Sequence, residues 1–193
     1  NRMLSFVIYL SGHKKTEEHL PTLVESANKH NWKIELFPGF DGRSHRFPYK
    51  IDERYKKGAE QFQRAGVRGC FMSHYALWKK CLEMNELIGI FESDIVFCKT
   101  PPWSFKDYDV VKLDGFSTTK PAATGNWHEG AHAYILKPSG AQKLISWTEL
   151  YGASPADYML GDKVLRISYD FHDRVKLVKS DSSLTWNLEE EML

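Results

Sequence analysis

The chain has 193 residues, with 26 Lys and Arg against 25 Asp and Glu and a formal net charge of +1 at pH 7. That length allows one domain with a substantial core and leaves two domains cramped, while near-neutrality removes any global demand for nucleic acid or an anionic membrane. Cys70, Cys81 and Cys98 are odd in number and form no close pair, which argues against a disulfide framework or a zinc knuckle and for core thiols in a reducing compartment.

Met3 to Leu10 is a short apolar, β-rich run ending at Ser11-Gly12, as a buried first strand would. A helix follows, with Pro21 expected at its first position and Leu20, Leu23, Val24 and Ala27 on one face. Trp32 to Phe37 is a second strand, closed by Pro38, Gly39 and the Asp41-Gly42 turn. This β-α-β opening implies a parallel pair joined by a right-handed crossover. Arg43 to Lys57 is the most basic stretch, read as a solvated loop entering a charged helix or as an anion-facing rim. Gly66 to Asn85 reads as a long amphipathic helix, with His74 on its apolar side as a structural residue. Strands are expected at Tyr108 to Asp114, Ala131 to Leu136, Val164 to Tyr169 and Val175 to Val178. A loop over Ser117 to Asn126 has the length of a flap. Helices are expected from Pro138 to about Leu150 and over Ala156 to Leu160, the second opened by Asp157.

Leu87 to Phe97, LIGIFESDIVF, is an apolar run broken by Glu92, Ser93 and Asp94. An unpaired carboxylate in a core strand costs several kcal/mol unless something relieves it. The strand is therefore expected to end at Glu92, either to present both acids at the carboxyl edge of the sheet, where ligands bind in open α/β folds, or to turn into a hairpin whose turn an Asp caps. Acid-x-acid is the form in which many sugar-nucleotide transferases hold Mn²⁺ or Mg²⁺, since carboxylates supply the hard oxygens these ions take. His128 and His132 are expected on the acceptor side or the surface, because Gly130 between them opposes a helix.

The segment Gly66 to Phe97 resembles glycosyltransferase family 25, which includes lipooligosaccharide and collagen galactosyltransferases. Gly69, Cys70, Ser73, His74 and Trp78 match its helix motif, and Glu92, Asp94 and Ile95 match its Glu-Asp-Asp-Val. Phe40-Asp41-Gly42 is similar to its Val-Asp-Gly turn. Gly130, Ala133 to Leu136 and Gly140-Ala141 resemble its later strand and helix, and Pro155 with Asp157 its Pro-x-Asp. Two positions depart: Ser93 replaces the middle Asp, and the first strand lacks the Asn-Leu and Asp-Arg pairs.

The resemblance implies an α/β chain with a single GT-A-type, Rossmann-like domain over residues 1–193, its central sheet mainly parallel with helices on both faces. The nucleotide-sugar half would span about 1–100, the acceptor half about 101–180 and a polar tail 181–193. It implies a metal-dependent inverting transferase with Mn²⁺ or Mg²⁺ on Glu92 and Asp94, His172 completing the set. Donor contacts fall to Lys14, Asp41, Gly42 and Gly130, and the base to Asp157, with Asp114 second. The donor is expected to be a UDP-sugar and the acceptor a surface oligosaccharide. Hydroxylysine in a collagen-like protein, hydroxymethylated bases in DNA, and a nucleotide-sugar-binding module without turnover are the alternatives. No apolar run is long enough to cross a bilayer and no signal-peptide layout is present, so the expected location is cytoplasmic, or peripheral at the inner membrane face.

Overall fold

The computed structural model describes residues 3–105, 107–113 and 130–178. β1 (Leu4–Tyr9), α1 (Lys14–Lys29) and β2 (Lys33–Pro38) open the chain, with the two strands parallel and Leu4 beside Lys33. The start of α1 differs from the expectation, because the helix begins at Lys14 and carries Pro21 in its interior. The start signal is His13, whose Nδ1 accepts from the Thr16 amide at 3.3 Å. α2 (Lys56–Gln61) begins at the end of the basic stretch, followed by α3 (Ala65–Met84), β3 (Ile88–Glu92) and β4 (Ile95–Phe97). Asn85 closes α3 in the left-handed conformation. β5 (Val110–Lys112), β6 (Ala133–Leu136), α4 (Pro138–Tyr151), α5 (Ala156–Met159), β7 (Ile167–Tyr169) and β8 (Val175–Leu177) complete the order.

The main sheet runs β2-β1-β3-β6-β5-β7, and β4 pairs with β8 apart from it. β3 is parallel to β1 and β7 is parallel to β5, whereas β6 is antiparallel to both of its neighbours. That one reversal brings the beginning of β6 beside the carboxyl end of β3. Phe91 stands opposite Ala133, and the Glu92 amide donates to the His132 carbonyl at 2.9 Å.

Period-two alternation sorts the core into two layers. Phe6, Ile8, Ile88, Ile90, Val110 and Tyr134 pack with α3 and α4, while Val7, Phe91, Val111 and Ile135 pack with Leu23 and Ala27 of α1. Helices therefore cover both faces. Continuing the alternation from Ile90 and Val110 assigns Glu92 and the fully buried Lys112 to the α3 side.

α3 lies close against the loop that follows β2. A Cβ on Gly69 would stand 2.4 Å from the Phe40 carbonyl oxygen, and one on Gly42 would stand 1.8 Å from that of Ala65. Ser73 fastens the same contact, since its Oγ accepts from the Phe40 amide at 2.9 Å and donates to the Gly69 carbonyl at 2.8 Å. Gly69→Ala should therefore destabilise the fold by about 1–3 kcal/mol, because the obstructing atom is backbone. Urea unfolding measures this, and an unchanged midpoint would contradict the close approach.

Candidate active site

Glu92 ends β3 on the side that faces α3, and its two oxygens meet different partners. Oε1 accepts from His74 Nε2 at 3.1 Å and from the Cys70 thiol at 3.6 Å, while Oε2 lies 3.0 Å from His132 Nδ1. The same His132 nitrogen lies 3.2 Å from Asp94 Oδ1, in the turn after β3. Cys70 and His74 are four apart on α3 and so share a face. His132 arrives through the antiparallel register of β6. Three separate segments thus place their polar atoms around one carboxylate.

Behind this cluster runs a hydrogen-bonded chain. Tyr134 Oη accepts from Trp78 Nε1 at 2.9 Å and gives its own proton to His74 Nδ1 at 2.7 Å. The proton of the His74 ring then sits on Nε2, aimed at Glu92. The sequence places His74 as a structural residue on the apolar side of its helix; its partners are a phenol and the central carboxylate.

The electrostatics follow from these contacts. Burial pushes the Glu92 carboxyl upward, but attraction to His132 and hydrogen bonds from His132 and His74 outweigh it and hold the group well below the usual carboxylate range. Burial also opposes charge on His132, yet Glu92 and Asp94 raise its imidazole well above the ordinary value. Asp157, in the first turn of α5, goes the other way. Burial raises its carboxyl and the charge of Glu92 adds to the rise, against backbone amides and Lys112. The Cys70 thiol is raised well up by burial and by the charges of Glu92, Asp157 and Asp94.

Among the expected site residues, Glu92, Asp94 and Asp157 therefore fall in one electrostatic cluster. Gly130 is buried with φ +111°, two residues ahead of His132. Lys14 has a side chain 84% exposed and pairs with Glu18 at 3.8 Å. Asp41 binds Arg43 at 2.9 Å, and Gly42 packs on the start of α3. His172, 73% exposed, bonds Asp170 at 2.9 Å. The structure does not bring Lys14, Asp41, Gly42 or His172 together with the acids. Asp114, His128 and the Ser117 to Asn126 loop lie outside the described residues. His132 is the residue that sequence reasoning misplaced, and the pairing of β6 with β3 is the signal that finds it.

The profile of glycosyltransferase family 25 (LPS biosynthesis protein) matches residues 4–109, more than half of the chain and inclusive of Cys70, His74, Glu92 and Asp94. The chain belongs to glycosyltransferase family 25. The lipooligosaccharide biosynthesis protein lex-1 of Haemophilus influenzae is 29% identical over 110 residues, covering 42% of this chain and 36% of that protein. A glycosyltransferase 25 family member of Anopheles gambiae is 24% identical over 198 residues, covering 86% of this chain and 32% of its own. The chain thus spans about a third of the length of these family 25 relatives. The crystal structure of the glycosyltransferase GlyE of Streptococcus pneumoniae superposes with a TM-score of 0.50 at 16% identity, over 90% of this chain and 46% of GlyE. That likeness is one of fold, and the fold is α/β of GT-A type.

The raised His132 contributes stability that is fully present below about pH 6.5 and is lost as pH rises through its folded value. The lowered Glu92 contributes stability that is present above the ordinary carboxylate range and is lost as pH falls through its folded value. In the ion-free protein, NMR titration should find the His132 midpoint above the ordinary histidine range. Glu92→Gln should bring it down by more than about one pH unit. A midpoint that does not move would contradict the pairing.

Proposed function

We propose that this chain is a glycosyltransferase that moves a sugar from a UDP-sugar donor to a hydroxyl acceptor, with inversion at the anomeric carbon. The observation that carries the proposal is the convergence of Glu92, Asp94 and His132, whose donor atoms lie within 4.8 Å of one another at the carboxyl end of β3. Two carboxylates and an imidazole fit a divalent cation. The Oγ of Ser93, buried and without a hydrogen-bond partner among the described residues, adds a polar group that a metal-bound water would satisfy. Mg²⁺ prefers oxygen ligands and its own water, so the imidazole favours Mn²⁺. When bound there, the ion neutralises negative charge on the departing diphosphate.

Asp157 is the proposed base. It takes the proton of the acceptor hydroxyl while that oxygen bonds the anomeric carbon and the bond from carbon to the diphosphate oxygen breaks. Its raised proton affinity suits this work, while His132 and His74 keep Glu92 ionised as a ligand. Buried Lys112 limits the rise. Lys14, Asp41, Gly42 and Gly130 stay in the proposal as donor-side residues, with Asp114 as the alternative base. The relative named for lipooligosaccharide biosynthesis supports an oligosaccharide acceptor. In the basic stretch, Arg43 is paired with Asp41 and Arg54 with Asp52 at 2.7 Å, which favours that acceptor over DNA phosphates.

Calorimetric titration with UDP should show binding that depends on Mn²⁺ and weakens at least about tenfold in Asp94→Asn, equivalent to about 1.4 kcal/mol. Metal-independent UDP binding, unaltered in that variant, would sink the proposal. Asp157→Asn should retain UDP binding and lose transfer by about a hundredfold or more, the usual scale of general-base catalysis. Undiminished turnover would move the base elsewhere.

A further inference from the structure

We propose that Cys70, His74 and the Oε1 oxygen of Glu92 form a second cation site, selective for a thiophilic divalent ion of the Zn²⁺ class. The division of labour on Glu92 is the starting point. Oε2 faces His132, which also reaches Asp94, while Oε1 faces the two donors from α3. One carboxylate thus serves two donor sets of different chemistry, one rich in oxygen and one holding a thiol.

The spacing suits zinc. Tetrahedral Zn²⁺ with Zn–S near 2.3 Å and Zn–N or Zn–O near 2.0–2.1 Å requires its ligand atoms to stand roughly 3.3–3.6 Å apart. Cys70 Sγ is 3.6 Å from Glu92 Oε1, His74 Nε2 is 3.1 Å from it, and all three donors lie within 4.8 Å of one another. Small side-chain adjustments complete the geometry. Two of the ligands sit one turn apart on a helix that Ser73 ties to the Phe40 loop, so the pair is held before any ion arrives. Tyr134 Oη, 2.7 Å from His74 Nδ1, occupies the position from which an outer partner orients a metal-bound imidazole.

Binding conserves charge and protons simply. Cys70 gives up its proton to solvent, the His74 ring proton moves from Nε2 to Nδ1, and the Tyr134 hydroxyl turns its own proton away from Nδ1 so that its oxygen accepts there. The negative charges of Glu92 and Asp94 beside the site draw in a cation. A cleft bounded by Ile8, Leu10, Gly39 and Phe40 reaches the three ligands. Three protein ligands with an open fourth position are the layout of a reactive or exchangeable zinc site, unlike the closed four-ligand structural kind. This site does not depend on sugar transfer, although sharing Glu92 couples its occupancy to the ion at Asp94 and His132.

Cobalt is the probe, because a thiolate ligand gives Co²⁺ a charge-transfer band in the near ultraviolet. Titrating the whole chain with Co²⁺ should produce that band, one equivalent of Zn²⁺ should erase it, Cys70→Ser should abolish it, and His74→Ala should weaken Co²⁺ binding at least tenfold. Asp94→Asn, which removes a ligand of the other donor set, should leave the band in place, so failure here and failure of the transferase proposal can be told apart. On the unmutated chain, Zn²⁺ should slow iodoacetamide alkylation of Cys70 at least tenfold and leave Cys98 unchanged, resolved peptide by peptide. Co²⁺ bound without the band, a band that survives Cys70→Ser or vanishes in Asp94→Asn, or equal protection of Cys70 and Cys98 would overturn the site.

Discussion

A carboxylate at the end of a buried strand is the constraint on which this site turns. Glu92 follows four buried residues of β3 and faces the helix layer, where an unpaired charge would cost several kcal/mol. The structure answers with two histidines, one from α3 and one from the strand that runs against β3. Each depends on its own support: His74 on the chain from Trp78 through Tyr134, His132 on the register of β6. The two aromatic residues therefore belong to the electrostatics of the site as much as to the core. In the ion-free protein they set which nitrogen of His74 carries the proton.

The same concentration of charge gives two acids opposite characters. Glu92, bonded by imidazoles, stays ionised, whereas Asp157, half-buried near that negative charge, holds a proton more strongly. Opposite proton affinities of this kind are what the proposed metal-assisted transfer asks of a ligand and a base, and both arise from position. Family 25 membership rests on residues 4–109 and so includes Glu92, but His132 and Asp157 lie beyond the matched span. The roles proposed for them rest on geometry and on the field they share.

Much of this was legible in the sequence, for local reasons. Apolar runs bounded by Gly, Pro and Asn marked β1, β2, α3 and β3, and the break at Glu92 marked the end of the strand that carries the acids. Pro21 misled because a proline can sit inside a helix whose true start, the cap at His13, has a weaker signature. His132 escaped because strand direction is a property of the sheet. No local pattern announces that β6 runs antiparallel between β3 and β5, and without that register its two-residue distance from Tyr134 has no meaning. For the same reason His74 was legible as a core position and not as a partner of the carboxylate that lies eighteen residues further on.

The central claim, that His132 joins Glu92 and Asp94 in holding the cation, is tested most directly by pulsed electron paramagnetic resonance of Mn²⁺ bound to the chain in the presence of UDP. The account predicts spin-echo modulation from one imidazole nitrogen that disappears in His132→Ala and persists in His74→Ala. Bound Mn²⁺ without nitrogen coupling, or a coupling that survives His132→Ala, would contradict it.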